Sequence, residues 1–386
     1  MAQGSLAPKL LALEARLPQA CFVAGSLNMD QLLNVGIQIC QAAMKSKNKP
    51  VPAGNNFTRD PPDPENVKML ICALDYKKTS NPLTCTMDGN NMQKLARACG
   101  IDDVTVMYDE ECTSDNVSAK IEEIGERCDE DDFFVFYYSG HGTSVPDRSG
   151  DEDDGQDEAF CFVDEKGQIS IDTCMDDDKF SELVTNAMPA GMRVLILTDC
   201  CHSGTIADLQ NPAWNHLEVV SITGCLDSQT SGDMGKGGIF THSMLMAIER
   251  LQGEDEDEYS VGLLYNATLN FDDKIFGSAQ DITIQANSRC APDKMAWPLL
   301  PQQEYTSPMS QAAAAVRGVT SPSASQPSGG GGGGNMVQTL MANPQLMQQL
   351  GIKPEIAQMA GALGGANGKL DLNTLMQAGQ SGCSLM

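Results

Sequence analysis

Five short, continuously apolar runs limit what this chain can fold into: "VKMLICALDY" (67–76), "VTVMY" (104–108), "DFFVFYYSG" (132–140), "MRVLILTD" (192–199) and "HLEVVSITG" (216–224). A strand that is apolar on both faces has to be covered on both, which is the situation of a parallel sheet lying between layers of helix. Helical patterns fall between and after these runs. "DGNNMQKLARACG" (88–100) closes on Gly100, "SDNVSAKIEEIGERC" (114–128) offers Ser114 or Asp115 as N-cap, and "FTHSMLMAIERL" (240–251) follows the last run. Strands alternating with helices predict an α/β sandwich with a mostly parallel central sheet.

The flanks read differently. Residues 1–65 predict a small prodomain with a short amphipathic helix, interrupted by Lys9, Glu14 and Arg16, and a Pro/Asn-rich linker at its end. The α/β pattern stops near Trp297–Pro301; a Ser/Pro/Gly-rich linker (301–334) and a Met/Gln-rich tail (335–386) follow, with a helix expected from Asn343-Pro344. No stretch reaches the roughly 18 apolar residues of a membrane span, and no secretory h-region is visible, so a reducing, cytoplasmic setting is expected. The fourteen cysteines include no C-x-x-C pair, which argues against structural zinc and for thiols used in packing. A formal charge of −27, without a basic patch, argues against nucleic acid and favours cationic partners, basic peptides or divalent ions.

Two motifs end predicted strands: "YYSGHG" (137–142) and "DCCHSG" (199–204). Reactive groups of open α/β sheets gather at the carboxyl ends of the strands. Gly140, Gly142 and Gly204 permit sharp turns and close backbone approach there. His202 is adjacent to Cys201, but neighbours on extended chain face opposite ways. His141, arriving from another strand, is the better base for a thiol nucleophile.

With "FYYSGHGTSVPDRSGDEDDGQDEAFCFVDE", "LTDCCHSGTIADL" and "SITGCLDSQTSGD", the chain resembles a type I-like metacaspase over roughly residues 66–300, with a p20-like part at 66–210 and a p10-like part at 215–300. The resemblance implies a caspase-like three-layer sandwich and a cysteine endopeptidase, with a family association to programmed cell death. It makes Cys201 the nucleophile and His141 its partner, leaving Cys200 as a packing residue. The caspase signature Q-A-C is absent, and Asp199 stands in place of its Gln. A carboxylate there favours a cationic substrate side chain. The resemblance adds Cys85, Asp88 and Ser139 to the substrate pocket, so cleavage after Arg or Lys is expected. Taken alone, Asp88 would read as a helix N-cap.

The acid run "DRSGDEDDGQDE" (147–158) fits no EF-hand register and by itself reads as a solvated loop. The resemblance implies calcium (Ca2+) held by Asp157, the pair Asp177 and Asp178, and Asp208, with Asp172 as an alternative to the pair. No Lys or Arg occurs between Cys201 and Lys236, so self-processing at a basic residue is expected elsewhere, at Lys45–Lys49, Arg59, Lys166 or Lys179. The final "CSLM" matches the prenylation pattern at Cys383, a four-residue match that can arise by chance, and one lipid holds a membrane only weakly. The resemblance suggests a monomer. A reading of another class is a catalytically silent adaptor of the same fold, acting through the acidic loop and the Met/Gln-rich tail.

Overall fold

The computed structural model describes residues 50–147, 149–150, 155–201, 205–225, 237–254, 257–272 and 280–312. The chain divides into two compact units, Met1–Lys47 and Asn48–Met386, and every described residue belongs to the second. The expectations for the amphipathic helix, His202, the "SQTSGD" segment, the 313–386 region and Cys383 lie outside the described residues.

Six strands form the main sheet, in the order β2-β1-β3-β7-β8-β9. They are β1 (Val67–Ala73), β2 (Val104–Tyr108), β3 (Phe133–Ser139), β7 (Arg193–Asp199), β8 (Glu218–Thr223) and β9 (Thr283–Ala286). The first five pair in parallel, and β9 closes the edge antiparallel to β8. Each long apolar run therefore became a strand.

Alternate residues of these strands enter two separate cores, and that makes the domain three-layered. Met69, Ile71, Val135, Tyr137, Leu195 and Leu197 join one core, together with Met92 and Leu95 of α1 (Thr86–Ala98), Met244 and Ile248 of α4 (Ile239–Gly253) and Leu264 of α5 (Val261–Phe271). Leu70, Cys72, Phe134, Phe136, Val194 and Ile196 join the other, against Val117, Ile121 and Ile124 of α2 (Ser114–Gly125) and Phe180 and Val184 of α3 (Asp177–Ala187). A period of two on the strands supplies both layers at once.

Helix ends follow local chemistry. Gly100 stops α1 with φ at +75°, as its sequence position predicts. Helix α2 is capped by Thr113, whose hydroxyl accepts from Asn116 N at 3.1 Å; the expected caps Ser114 and Asp115 fall inside the first turn.

The domain is larger than the sequence pattern suggests. The stretch expected to be a linker before residue 66 lies along the body as an extended strap. Val51 exchanges hydrogen bonds with the Asn266 side chain, Thr58 N donates to Lys294 O, and Arg193 donates to Asp60 O. At the other end Gln302 N donates to Ala98 O, Ser307 binds Glu249, and Tyr305 is buried, so the domain runs past residue 301. Prolines bar these segments from a central strand but not from side-chain and turn hydrogen bonds.

A small second sheet, β4-β5-β6, is antiparallel throughout. It comprises β4 (Gly142–Pro146), β5 (Gln156–Cys161) and β6 (Cys174–Asp176). It begins at Gly142, immediately after His141.

Candidate active site

Strand register brings the two motifs together. Strand β3 pairs in parallel with β7 so that Ser139 lies beside Asp199, and β1 ends beside them with Ala73 opposite Ser139. His141 and Cys201 each lie two residues beyond that aligned edge. The sheet also reverses its strand order here, with β2 outside β1 and β7 outside β3, which is where ligands enter open α/β folds.

The two backbones touch. A Cβ on Gly142 would overlap the Cys201 carbonyl and crowd the Cys200 Sγ, so only glycine allows this approach. Cys200 is fully buried in the core, whereas Cys201 is half-buried at the site. Adjacent cysteines thus split into one packing thiol and one available thiol.

His141 is held from several sides. Its ring Nε2 lies 2.8 Å from the Asn81 carbonyl oxygen. A carbonyl only accepts, so Nε2 carries the proton and Nδ1 keeps its lone pair as a base. The Tyr76 ring lies 4.4 Å from the imidazole, centroid to centroid. Its hydroxyl accepts from His141 N at 2.9 Å and donates to Cys161 O at 2.8 Å. The Tyr138 hydroxyl donates to His141 O at 2.6 Å. Tyr76 itself sits at φ +52°, unusual for a bulky residue and a mark of strain kept at a site. No motif in the sequence flagged Tyr76 or Asn81; each is positioned by the turn after β1, far from His141 along the chain. A cleft of about 420 Å3 opens beside His141, lined by Thr79, Asn81, Thr143, Cys161 and Gln168 among others.

The three polar residues expected in the substrate pocket meet at the same edge. Asp88 is fully buried and accepts from Ser139 Oγ at 3.0 Å and Gly238 N at 2.9 Å. It sits inside the first turn of α1 and does not cap it; Cys85, itself buried, occupies the N-cap position. Asp199 is also buried, with Oδ2 accepting from Thr241 N at 2.9 Å and from its hydroxyl at 2.7 Å. Gly237 and Gly238 run directly past the two acids: a Cβ on the first would strike the Asp88 carboxylate and on the second that of Asp199. Two carboxylates thus flank one glycine pair at the start of α4. Burial and the negative charges of Asp88 and Asp199 hold the nearby Tyr137 hydroxyl well above its usual range.

A second group of acids lies on the small sheet. Asp157 and Glu158 on β5 are buried, so the end of the acid run is not a solvated loop. Strand β6 ends at Asp176, opposite Ala159, and Asp177 then opens α3 within range of the charges of Asp157 and Glu158. Burial pushes the Asp177 carboxyl up to about 8, with the charges of Glu158, Asp157 and Asp178 adding to the rise. Thr205 Oγ1 donates to Glu158 at 2.6 Å, and Asp208 closes the same turn, with its N donating to Thr205 O and φ at +35°. Asp172 lies exposed in a separate 3-10 turn (Ile171–Thr173), outside this group. Glu158 was not among the expected ligands, because its burial on β5 is a property of the fold that the dense acid run does not show.

An α/β domain that presents a half-buried cysteine and an oriented histidine at the carboxyl edge of its sheet has the outline of a thiol hydrolase. Residues 67–210 match the family model described as "Metacaspase, peptidase C14 domain". The chain is 29% identical over 258 residues to Metacaspase-2 of Arabidopsis thaliana, covering 56% of this chain and 59% of the relative. It is 34% identical over 154 residues to Metacaspase-1 of Cryptococcus neoformans, covering 37% and 33% respectively. The chain thus spans less than two thirds of the length of these relatives. Among solved structures, Caspase-1 from Spodoptera frugiperda aligns with a TM-score of 0.44 and 14% identity over 67% of this chain and 98% of that one.

Proposed function

We propose that the protein is a calcium-activated cysteine endopeptidase that cuts after Arg or Lys. The observation that carries this reading is the convergence of the His141 and Cys201 loops, with Gly142 against the Cys201 carbonyl and His141 Nε2 tied to Asn81. That tie leaves Nδ1 to take the Cys201 proton. The sulfur attacks the substrate carbonyl carbon, and His141 returns the proton to the departing amine. Water, deprotonated by the same ring, then cleaves the thioester and frees the thiol. Backbone N–H groups near Cys201 and Gly142 would hold the oxyanion.

Asp88 and Asp199 supply the negative field for a guanidinium or ammonium group, and Ser139 orients Asp88.

Calcium fits the second acid group. Its donors are carboxylate oxygens, the ligands this ion prefers, and like-charge crowding around Asp177 is what a divalent cation relieves. Among the described residues no three such side chains are already arranged as a metal site, so the acids would have to close on the ion. Asp157, Asp177, Asp178 and Asp208 would hold it, with Glu158 alongside. When bound, it would supply positive charge that offsets the crowding of these carboxylates.

The expected partners remain protein substrates with a basic residue before the cut, with no nucleic acid, for a monomer in the cytoplasm. Any membrane association would run through a prenylated Cys383 and be weak.

The test is fluorophore release from a peptide ending in Arg as calcium is titrated, with Cys201→Ala alongside. Calcium-dependent turnover that disappears in the variant is the expected result. A folded wild-type chain silent at every calcium concentration would overturn the reading in favour of the adaptor.

A further inference from the structure

Behind His141 the small sheet carries a pair of thiols that the peptidase reading does not use. Cys161 on β5 and Cys174 on β6 face each other directly in the antiparallel register. Directly opposed residues of an antiparallel pair have Cα atoms roughly 4.5–5.5 Å apart, inside the roughly 4.4–6.8 Å that a disulfide spans. Both thiols are free, and Cys174 Sγ donates to Ser170 O at 3.4 Å. Cys161 is 4% exposed, while Cys174 is only partly covered and within reach of solvent.

We propose that Cys161 and Cys174 are a peroxide-responsive dithiol site, which closes to a cross-strand disulfide beside the His141 loop. Their environments divide the roles. The facing Cys161 thiol holds the Cys174 thiol below its usual range, while the Cys174 neighbour and burial push the Cys161 thiol up. Cys174 is therefore the thiolate that meets the oxidant. Its sulfur attacks one oxygen of hydrogen peroxide; an S–O bond forms, the O–O bond breaks, and hydroxide leaves. Cys161 sulfur then attacks the sulfenic sulfur, the S–O bond breaks, and the Cys161 proton leaves with the oxygen as water. The two thiols lose two electrons, peroxide is reduced to two waters, and a dithiol reductant reverses the change.

The position gives the bond something to act on. Cys161 N donates to His141 O at 3.1 Å, and Cys161 O accepts from Tyr76, which also receives His141 N. A disulfide would anchor that backbone to β6, whose last residue, Asp176, caps α3.

The experiment uses the full chain carrying Cys201→Ala, so that the candidate nucleophile does not compete and failure of the peptidase reading leaves the result untouched. The folded protein is treated with dilute hydrogen peroxide, alkylated and digested with trypsin. Cys161 lies in fragment 149–166 and Cys174 in fragment 167–179, so the bond joins two separate peptides. The expected result is a linked pair, lighter by its two thiol hydrogens, that dithiothreitol separates and Cys174→Ser abolishes. Continued alkylation of both thiols after oxidation would overturn the proposal, and so would pairing of Cys161 with any other cysteine.

Discussion

At the residue scale, orientation matters more than identity. Tyr76 reaches His141 through its ring and its hydroxyl, and the hydroxyl bridges His141 N to Cys161 O. Tyr76→Phe keeps the ring and loses the bridge. We expect kcat for an Arg peptide to fall roughly 10- to 100-fold with KM little changed, as the imidazole loosens. An unchanged kcat with a raised KM would place Tyr76 in substrate binding instead. Asp199 tests specificity. Asp199→Asn keeps an acceptor for Thr241 and removes the charge. Turnover of an Arg peptide should drop about 100-fold or more, while a citrulline analogue, neutral and of similar shape, should lose little. Equal losses on both substrates would show that the carboxylate holds the start of α4 and does not read charge.

At the element scale, the small sheet links the His141 loop to the body through aromatic packing. Phe160 is fully buried, with ring centroids 4.8 Å from Tyr138, 5.0 Å from Phe180 and 5.6 Å from Phe136. It also pairs across the ladder with Gly142. Phe160→Ala removes contacts to β3 and α3 together and should cost about 3–5 kcal/mol, read from the midpoint shift in urea denaturation. A shift under about 1 kcal/mol would mean that the sheet is not cooperative with the main core. The same element shows why part of the site escaped a linear reading. The acid run looked like solvated loop because its charges are dense, yet Asp157 and Glu158 lie on β5 and are buried. Burial of a carboxylate depends on what covers it, and the covering residues come from α3 and from the turn after Cys201.

At the scale of the whole molecule, charge is the dominant property. With 52 acids and 25 bases the surface field attracts cationic molecules and repels anionic ones. At saturating calcium, kcat/KM for a basic peptide should fall as ionic strength rises from about 0.01 to 0.15 M, because the screening length shrinks from about 30 to 8 Å. A flat response would confine the electrostatics to Asp88 and Asp199. The layers of the fold were readable in advance for a simple reason. The centres of the runs at 132–140 and 192–199, Phe133 to Tyr138 and Val194 to Leu197, are apolar at every position, and a strand with two apolar faces has only a helix-covered sheet to enter. The strap at 50–65 and the extension past residue 301 were not readable, since their hydrogen bonds go to single residues far along the chain.

The sequence by itself determined the layered α/β class and the strands that lead into the His141 and Cys201 loops, because periodicity and turn chemistry are local, while the separate roles of Cys200 and Cys201 were implied by the family resemblance. Only the tertiary structure decided that Tyr76 and Asn81 orient His141, that Asp88 binds Ser139 and not its own helix end, and that Cys161 faces Cys174. Those arrangements depend on strand register and on loops crossing from different strands, and register is settled by the packing of the whole sheet.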